Sequence, residues 1–466
     1  MEIDVRKLTR QQQGVNKWGS SGGRGTLWYD VGVGKTYTAI LIFQKMLKSD
    51  PLSIITIVVP TDLLRTQWNE SLYEHLKGYQ NNIKVLTASE IISKGTRLNC
   101  KLLVIDEIHE FVEGNKLDIV CGIYYNYKFI LGLTGSWERD DGLHYNLQRY
   151  CPVVDRIDEQ EAIESGFTSP VVEYNLAVEF TQAERQKYDY YVAEIAKYKE
   201  IFNNDFKLAL QCIKGLKAKE TRELVAELNG WSKDINHADI NKKNIIKLYN
   251  PNKIYSYAID FISIVQQRLA LIYTARNKVQ PTIDLCRKYN VKTIIFNENT
   301  DFADRVYHEL NFQLKQRTDL LDNNVSEDDV AVIYHSNVKT IVKEVNGKLK
   351  KFGKIALKKL AINQFTQGIR RIFVTSSVSD RGLNINDIWM GIILSGNSKR
   401  IKQNQRKGRL NRIEFNKKMT ALMVNIYVKD SIDESMLKFK QRKSNNVIKT
   451  VTSVEQIQHI FENENL

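Results

Sequence analysis

The chain has 466 residues, enough for two or three domains of ordinary size. Hydrophobic residues make up 42% and charged residues 26%, which excludes a wholly disordered or collagen-like chain. Lys plus Arg number 68 against 54 Asp plus Glu, a net charge of +14, and this surplus suggests a polyanion partner, nucleic acid before membrane surface.

The amino end, MEIDVRKLTRQQQ, carries no apolar stretch of signal-peptide type. No run approaches the ~18–20 apolar residues of a membrane span. The five cysteines are scattered and form no CxxC pair. They read as reduced, buried thiols of an intracellular protein rather than a zinc or iron–sulfur site.

The first predicted strand is Thr26-Leu27-Trp28-Tyr29, followed by Asp30-Val31-Gly32-Val33-Gly34-Lys35-Thr36 and a helical pattern to Leu47. Strand, glycine-rich loop and helix form the context of a phosphate loop. The glycines let backbone N–H groups turn toward phosphate oxygens, and the helix amino end adds a favourable dipole. Gly32, Val33 and Gly34 would cradle phosphate, Lys35 would reach the β- and γ-phosphates, and Thr36 would bind Mg²⁺. Position 29 departs from the full pattern, with Tyr29 in place of glycine.

A second strand, Ser53 to Val59, ends in Pro60-Thr61, and a helix is predicted from Asp62 to Leu76. Lys101 to Ile105 reads as a buried parallel strand ending in Asp106-Glu107-Ile108-His109, 71 residues after Lys35. A carboxylate there sits where open α/β sheets bind ligands. Asp106 would hold Mg²⁺ through water, and Glu107 would orient and activate the attacking water. Lys128 to Leu133 is a further strand, ending in Thr134-Gly135-Ser136. Strands alternating with helices predict a doubly wound sheet.

Residues from about Gln182 to Lys278 read as a charged helical insertion. Tyr190, Tyr191 and Trp231 within it suit either core packing or base stacking. Alternation resumes at Val291 to Phe296, with strands also at Ala331 to His335, Arg371 to Thr375 and Trp389 to Leu394. Between them, residues 338–359 hold eight lysines and one glutamate. Asn346-Gly347 there predicts a hairpin turn. This basic hairpin, with Lys348, Lys350 and Lys351, is either a solvated surface or a nucleic-acid contact that separates strands. Residues 398–418 hold nine Lys or Arg and one glutamate, including Arg409 and Arg412 at i and i+3 of a predicted helix. Two guanidiniums on one face suit a terminal phosphate.

In this order the motifs resemble superfamily-2 DExH-box helicases and translocases, over nearly the whole chain outside roughly 182–280. The compact size, Leu133 to Trp137 and Asp380 to Asn384 look like the phage UvsW-like and Swi/Snf-like DNA helicases, whose phosphate loops also lack the first glycine. The resemblance implies two tandem RecA-like α/β lobes: lobe 1 at 1–166, a linker and helical insertion at 167–285, lobe 2 at 286–430 and a helical tail at 431–466. It implies that Gln12, with Gln13 as an alternative, reads adenine. It implies that Lys35, Thr36, Asp106 and Glu107 bind and cleave ATP with Mg²⁺, and that Arg409 and Arg412 reach the γ-phosphate. His109, Thr134, Ser136 and Gln405 would couple nucleotide state to lobe closure. Thr61, Thr87, Ser379, Arg381 and Asn384 would face the nucleic-acid backbone. The function implied is an ATP-dependent DNA helicase or branch-migrating translocase acting on duplex, branched or single-stranded DNA. RNA unwinding, or an ATP-switched remodeler that separates no strands, remains open.

Overall fold

The computed structural model describes residues 5–95, 98–139, 141–215, 219–229, 249–314, 330–338, 341–345, 348–376, 388–395, 406–408, 410, 420–442 and 448–458. The chain divides into two compact units. One comprises Met1–Ala177, Gln280–Tyr427 and Ser435–Leu466; the other comprises Val178–Val279 with Val428–Glu434.

The first unit holds two parallel α/β lobes, as expected. Lobe 1 runs α1 (Val5–Ser20), β1 (Arg24–Tyr29), α2 (Lys35–Ser49), β2 (Ile55–Val59), α3 (Asp62–His75), β3 (Ile83–Thr87), α4 (Ala88–Lys94), β4 (Leu98–Asp106), α5 (Gly114–Val120), β5 (Tyr125–Thr134), β6 (Val153–Ile157) and α6 (Glu159–Glu164). Its six strands lie in the order β3-β2-β4-β5-β1-β6, and all pairings are parallel. Alternate residues of each strand feed opposite faces. Ile55, Ile57, Val59, Leu102 and Val104 pack under Phe43, Leu47 and Trp68 of α2 and α3. Val58, Leu103 and Ile105 pack on the other face with Ile91, Ile119 and Val120 of α4 and α5. Apolar residues on both faces explain why these strands read as continuous hydrophobic runs.

The chain then passes β7 (Val171–Val178) and the helices α7 (Gln182–Ile201), α8 (Phe206–Cys212), α9 (Lys219–Leu228) and α10 (Pro251–Tyr273). These helices form the core of the second unit, the expected insertion. Tyr198, Phe202, Phe206 and Phe261 pack ring on ring there, with Phe202 and Phe261 stacked at 5.7 Å. Tyr191 is buried with its hydroxyl on Gln267, whereas Tyr190 is exposed. Trp231 lies outside the described residues.

Lobe 2 continues with α11 (Val279–Lys288), β8 (Thr293–Asn297), α12 (Thr300–Leu314), β9 (Ala331–Tyr334), β10 (Ile341–Val345), β11 (Lys348–Phe352), α13 (Lys354–Thr366), β12 (Ile372–Ser376), β13 (Met390–Ile393), β14 (Ala421–Val428), α14 (Ile432–Gln441) and β15 (Ile448–Val451). Its sheet order is β15-β7-β14-β13-β8-β12-β9. Two boundaries differ from expectation. The stretch expected as linker supplies β7 to this sheet, and the tail expected to be helical supplies β15, which pairs with β7. Strand β15 is only four residues long and carries two exposed positions, too weak a pattern to mark a strand without its partner. Strands β10 and β11 form the expected hairpin, with Val345 opposite Lys348 and Lys343 opposite Lys350. Among the described residues, no helix is long and apolar enough to cross a membrane.

Helix α1 is fastened to the sheet by charge. Asp155 of β6 is buried and accepts from Arg10 and Lys17 of α1, each at 2.6 Å, and from the Tyr29 hydroxyl at 2.6 Å. Burial alone would raise the Asp155 carboxyl; the bonds from Arg10, Lys17 and Tyr29 outweigh it and hold the group below its ordinary value. Gly14 makes the approach possible, because a Cβ there would lie 1.7 Å from the Tyr29 hydroxyl oxygen. In an ordinary helix interior, Gly→Ala gains up to about 1 kcal/mol. Here Gly14→Ala is expected to destabilise by about 1–3 kcal/mol through overpacking, seen as a lower thermal midpoint. A raised midpoint would contradict the packing described.

Candidate nucleotide-binding site

Strands β4, β5 and β1 are neighbours, so their carboxyl ends deliver Asp106, Thr134 and the loop 30–36 to one sheet edge. In register, Asp106 pairs with Leu133 and Thr134 with Trp28. The loop turns through Gly32 at φ 93° and Gly34 at φ 97°, left-handed values that favour glycine. Lys35 opens α2 and donates from Nζ to Tyr29 O at 3.1 Å. Gly135 leaves room for it: a Cβ there would lie 3.2 Å from Lys35 Nζ. Thr36 follows in the first turn of α2. Tyr29 is the last residue of β1 and a core side chain, so the missing glycine removes nothing from the turn itself.

Asp106 is buried. Its Oδ2 accepts the Trp68 indole N–H at 2.9 Å, and its Oδ1 accepts the Glu107 backbone N–H at 2.9 Å. Burial, then the neighbouring Glu107 charge, raise its pKa above the ordinary carboxylate value. Glu107 adopts φ 49° and ψ 48°, left-handed for a non-glycine residue. Such backbone costs about 1 kcal/mol or more and is characteristic of functional turns. Here it turns the Glu107 side chain back, with Oε2 3.4 Å from His109 Nδ1.

His109 is buried and its Nδ1 lies 2.9 Å from Thr134 Oγ1. Thr134 Oγ1 also donates to Ser136 O at 2.8 Å and accepts from Ser136 N at 3.0 Å. A hydroxyl has one hydrogen, so if it goes to Ser136 O, Nδ1 of His109 is the donor. His109, Thr134 and Ser136, three of the residues expected to couple nucleotide state to lobe closure, are thus joined directly.

Thr36 and Asp106 offer oxygen donors, the ligand type that hard cations take together with substrate phosphates. Mg²⁺ fits that donor set.

Other expected residues fall differently. Gln12 is exposed, with Nε2 on Asn16 at 3.4 Å. Gln11 is the buried one; its Nε2 donates to Val33 O at 2.9 Å, while Lys7 Nζ donates to Gly32 O at 2.9 Å. The geometry therefore moves the glutamine at this loop from Gln12 to Gln11, because α1 turns Gln12 and Gln13 to solvent. Thr61 and Thr87 cap α3 and α4, accepting from Leu64 N and Glu90 N. The Thr87 hydroxyl is buried in a capping box with Glu90, occupied by the helix rather than presented outward. Lys351 is exposed, and Lys348 and Lys350 lie on β11. Ser379, Arg381, Asn384, Gln405, Arg409 and Arg412 lie outside the described residues.

The residues that join the lobes include pairs not singled out in the sequence. Lys407 forms an ion pair with Glu159 of α6, and a Cβ on Gly408 would lie 2.3 Å from Val31 Cβ. Lys407 and Gly408 thus lie against α6 and the glycine loop. Beside it, Arg406 bonds Glu298 at 2.7 Å and Ser395 O at 3.1 Å within lobe 2. Asp30, at the mouth of the loop, is pushed up to about 6, first by burial and further by Glu159, against the opposing pull of Lys35 and Lys407.

Comparison with known proteins follows the same lines. Residues 5–101 match the family described as Type III restriction enzyme, res subunit. A DNA 3'-5' translocase, XPB2 of Sulfurisphaera tokodaii, is 24% identical over 427 residues, 88% of this chain and 79% of the relative. These similarities agree with the superfamily-2 resemblance of the sequence motifs. Among solved structures, the Hef helicase domain of Pyrococcus furiosus aligns with a TM-score of 0.49 and 16% identity, over 94% of this chain and 99% of that one.

The raised Asp30 carboxyl gives a test of the site's burial. Its folded value lies above the unfolded one, so its stabilising effect is present below about pH 4 and is lost as pH rises through about 6. Asp30→Asn removes that loss. Its stability relative to the parent should rise by on the order of 1–2 kcal/mol between pH 4 and pH 7, measured by denaturant unfolding. A difference that does not change with pH would contradict the assigned environment.

Proposed function

We propose that the chain is an ATP-driven DNA translocase or helicase, acting inside the cell on duplex or branched DNA in recombination or repair, in the manner of the UvsW-like and Swi/Snf-like groups. One observation carries the reading: the glycine loop with Lys35, the acid pair Asp106 and Glu107, and the His109–Thr134 bond share one sheet edge. Similarity over 88% of the chain to a DNA translocase favours DNA over RNA.

In this reading the backbone N–H groups of 32–36 and Lys35 hold the ATP phosphates. Thr36 and Asp106 hold Mg²⁺, which supplies charge neutralisation at the phosphates when bound. Glu107 orients water, and Gln11 steadies the loop that frames the nucleotide. Arg409 and Arg412 approach the terminal phosphate; the position of Lys407 and Gly408 beside Glu159 and Val31 supports this. Binding drives lobe closure and hydrolysis releases it. Contacts through Thr61, Ser379, Arg381, Asn384 and the hairpin lysines to the phosphate backbone need no base reading, so binding is sequence-independent; Thr87, taken up by its helix cap, leaves this set.

The test is ATP hydrolysis measured with double-stranded DNA, single-stranded DNA or RNA over a salt series. DNA is expected to stimulate, with steep loss as salt rises. Stimulation by RNA alone would overturn the DNA assignment. Lys35→Ala and Glu107→Gln should each lower turnover at least about 100-fold, while the Glu107 variant still binds ATP. Stimulated hydrolysis retained in both would refute the site. Trimming Val342–Phe352 should spare hydrolysis and lower strand separation; unchanged unwinding would remove the hairpin from the mechanism.

A further inference from the structure

We propose that Trp68 is a positioning residue for the metal-holding carboxylate, so that the aim of Asp106 follows the placement of α3. The inference rests on the nucleotide-site reading above. Trp68 is 1% exposed, and its indole N–H is spent on Asp106 Oδ2 at 2.9 Å. With Oδ1 held by the Glu107 N–H, both carboxylate oxygens are fixed, and each keeps lone pairs for metal-bound water. The ring packs at 6.2 Å on Phe43 of α2, the helix that begins with Lys35. One side chain therefore joins the phosphate-loop helix, α3 and the acid strand.

The amino end of α3 reaches elsewhere. Thr61 caps it, and Leu63 packs against the apolar core of lobe 2. A shift of α3 at that end is carried by a rigid helix to the donor of Asp106. A buried indole needs a hydrogen-bond partner in any case. What distinguishes a positioning role is that the partner is the carboxylate expected to hold the ion, and losing an outer partner of this kind typically weakens metal binding tenfold or more.

The test is a Mg²⁺ titration of fluorescent ADP binding to the full chain in wild type, Trp68→Phe and Phe43→Leu. Trp68→Phe keeps an aromatic ring and removes only the donor; Phe43→Leu loosens the same packing and keeps the donor. The Mg²⁺ midpoint is expected to rise roughly tenfold in Trp68→Phe and to stay within about twofold in Phe43→Leu. Thermal midpoints confirm that both are folded. An unchanged midpoint in Trp68→Phe, or equal shifts in both variants, overturns the proposal. Wild type lacking any Mg²⁺-dependent nucleotide binding overturns the site reading, and this inference with it. A measurement that does not depend on the Phe variant folding uses ¹⁵N-tryptophan labelling. The indole resonance displaced by Asp106→Asn should also move when wild type is titrated with Mg²⁺ and ADP, and a stationary resonance likewise overturns the proposal.

Discussion

Parallel strands deliver their carboxyl ends to one edge of a sheet, and in lobe 1 the strands β4, β5 and β1 are immediate neighbours. That adjacency brings residues 30–36, 106–109 and 134–136 to one edge although they lie far apart in sequence. Neighbouring strands are about 4.8 Å apart, so β4 and β1 are separated by about 10 Å with β5 between them. Lys35 and Asp106 approach from the two flanks, and Thr134 fills the middle by bonding His109. No flexible segment has to be recruited to assemble the cluster.

The cost of the arrangement is electrostatic. Asp106 and Asp30 are carboxylates drawn from water, and burial raises both above their ordinary values. Two cations and three N–H donors offset that cost: Lys35, Lys407, the Trp68 indole and the Val31 and Glu107 amides. Lys407 belongs to lobe 2, so part of the charge balance of the lobe 1 edge comes from the other lobe. Left-handed backbone at Glu107 is a further local cost, tolerated because the buried strand β4 and the buried His109 hold the turn on either side.

Helix α1 closes the rear of the glycine loop. Arg10, Lys17 and Tyr29 converge on Asp155, and Gln11 and Lys7 reach the carbonyls of Val33 and Gly32. The tyrosine that departs from the phosphate-loop pattern is thus part of the fastening. Its hydroxyl needs the space that Gly14 leaves, so the two positions are explained together.

Much of this was legible in the sequence. The hydrophobic runs of β2, β4 and β5 determine parallel strands, because only strands covered on both faces read as unbroken apolar segments. Gly32, Gly34 and Lys35 follow the run of β1, and Asp106 and His109 stand at the end of that of β4, so their clustering followed from the strand pattern. Gln11 was legible too: Leu8, Gln11, Val15 and Trp18 recur at helical spacing, which assigns Gln11 to the buried stripe and Gln12 to solvent. What the sequence could not determine were pairings between distant, locally ordinary residues. The Trp68 bond to Asp106, the Lys407 pair with Glu159, and the union of β7 with β15 depend on the three-dimensional path of the chain. Their local patterns are those of any buried tryptophan, surface lysine or short strand, and only tertiary packing chose their partners.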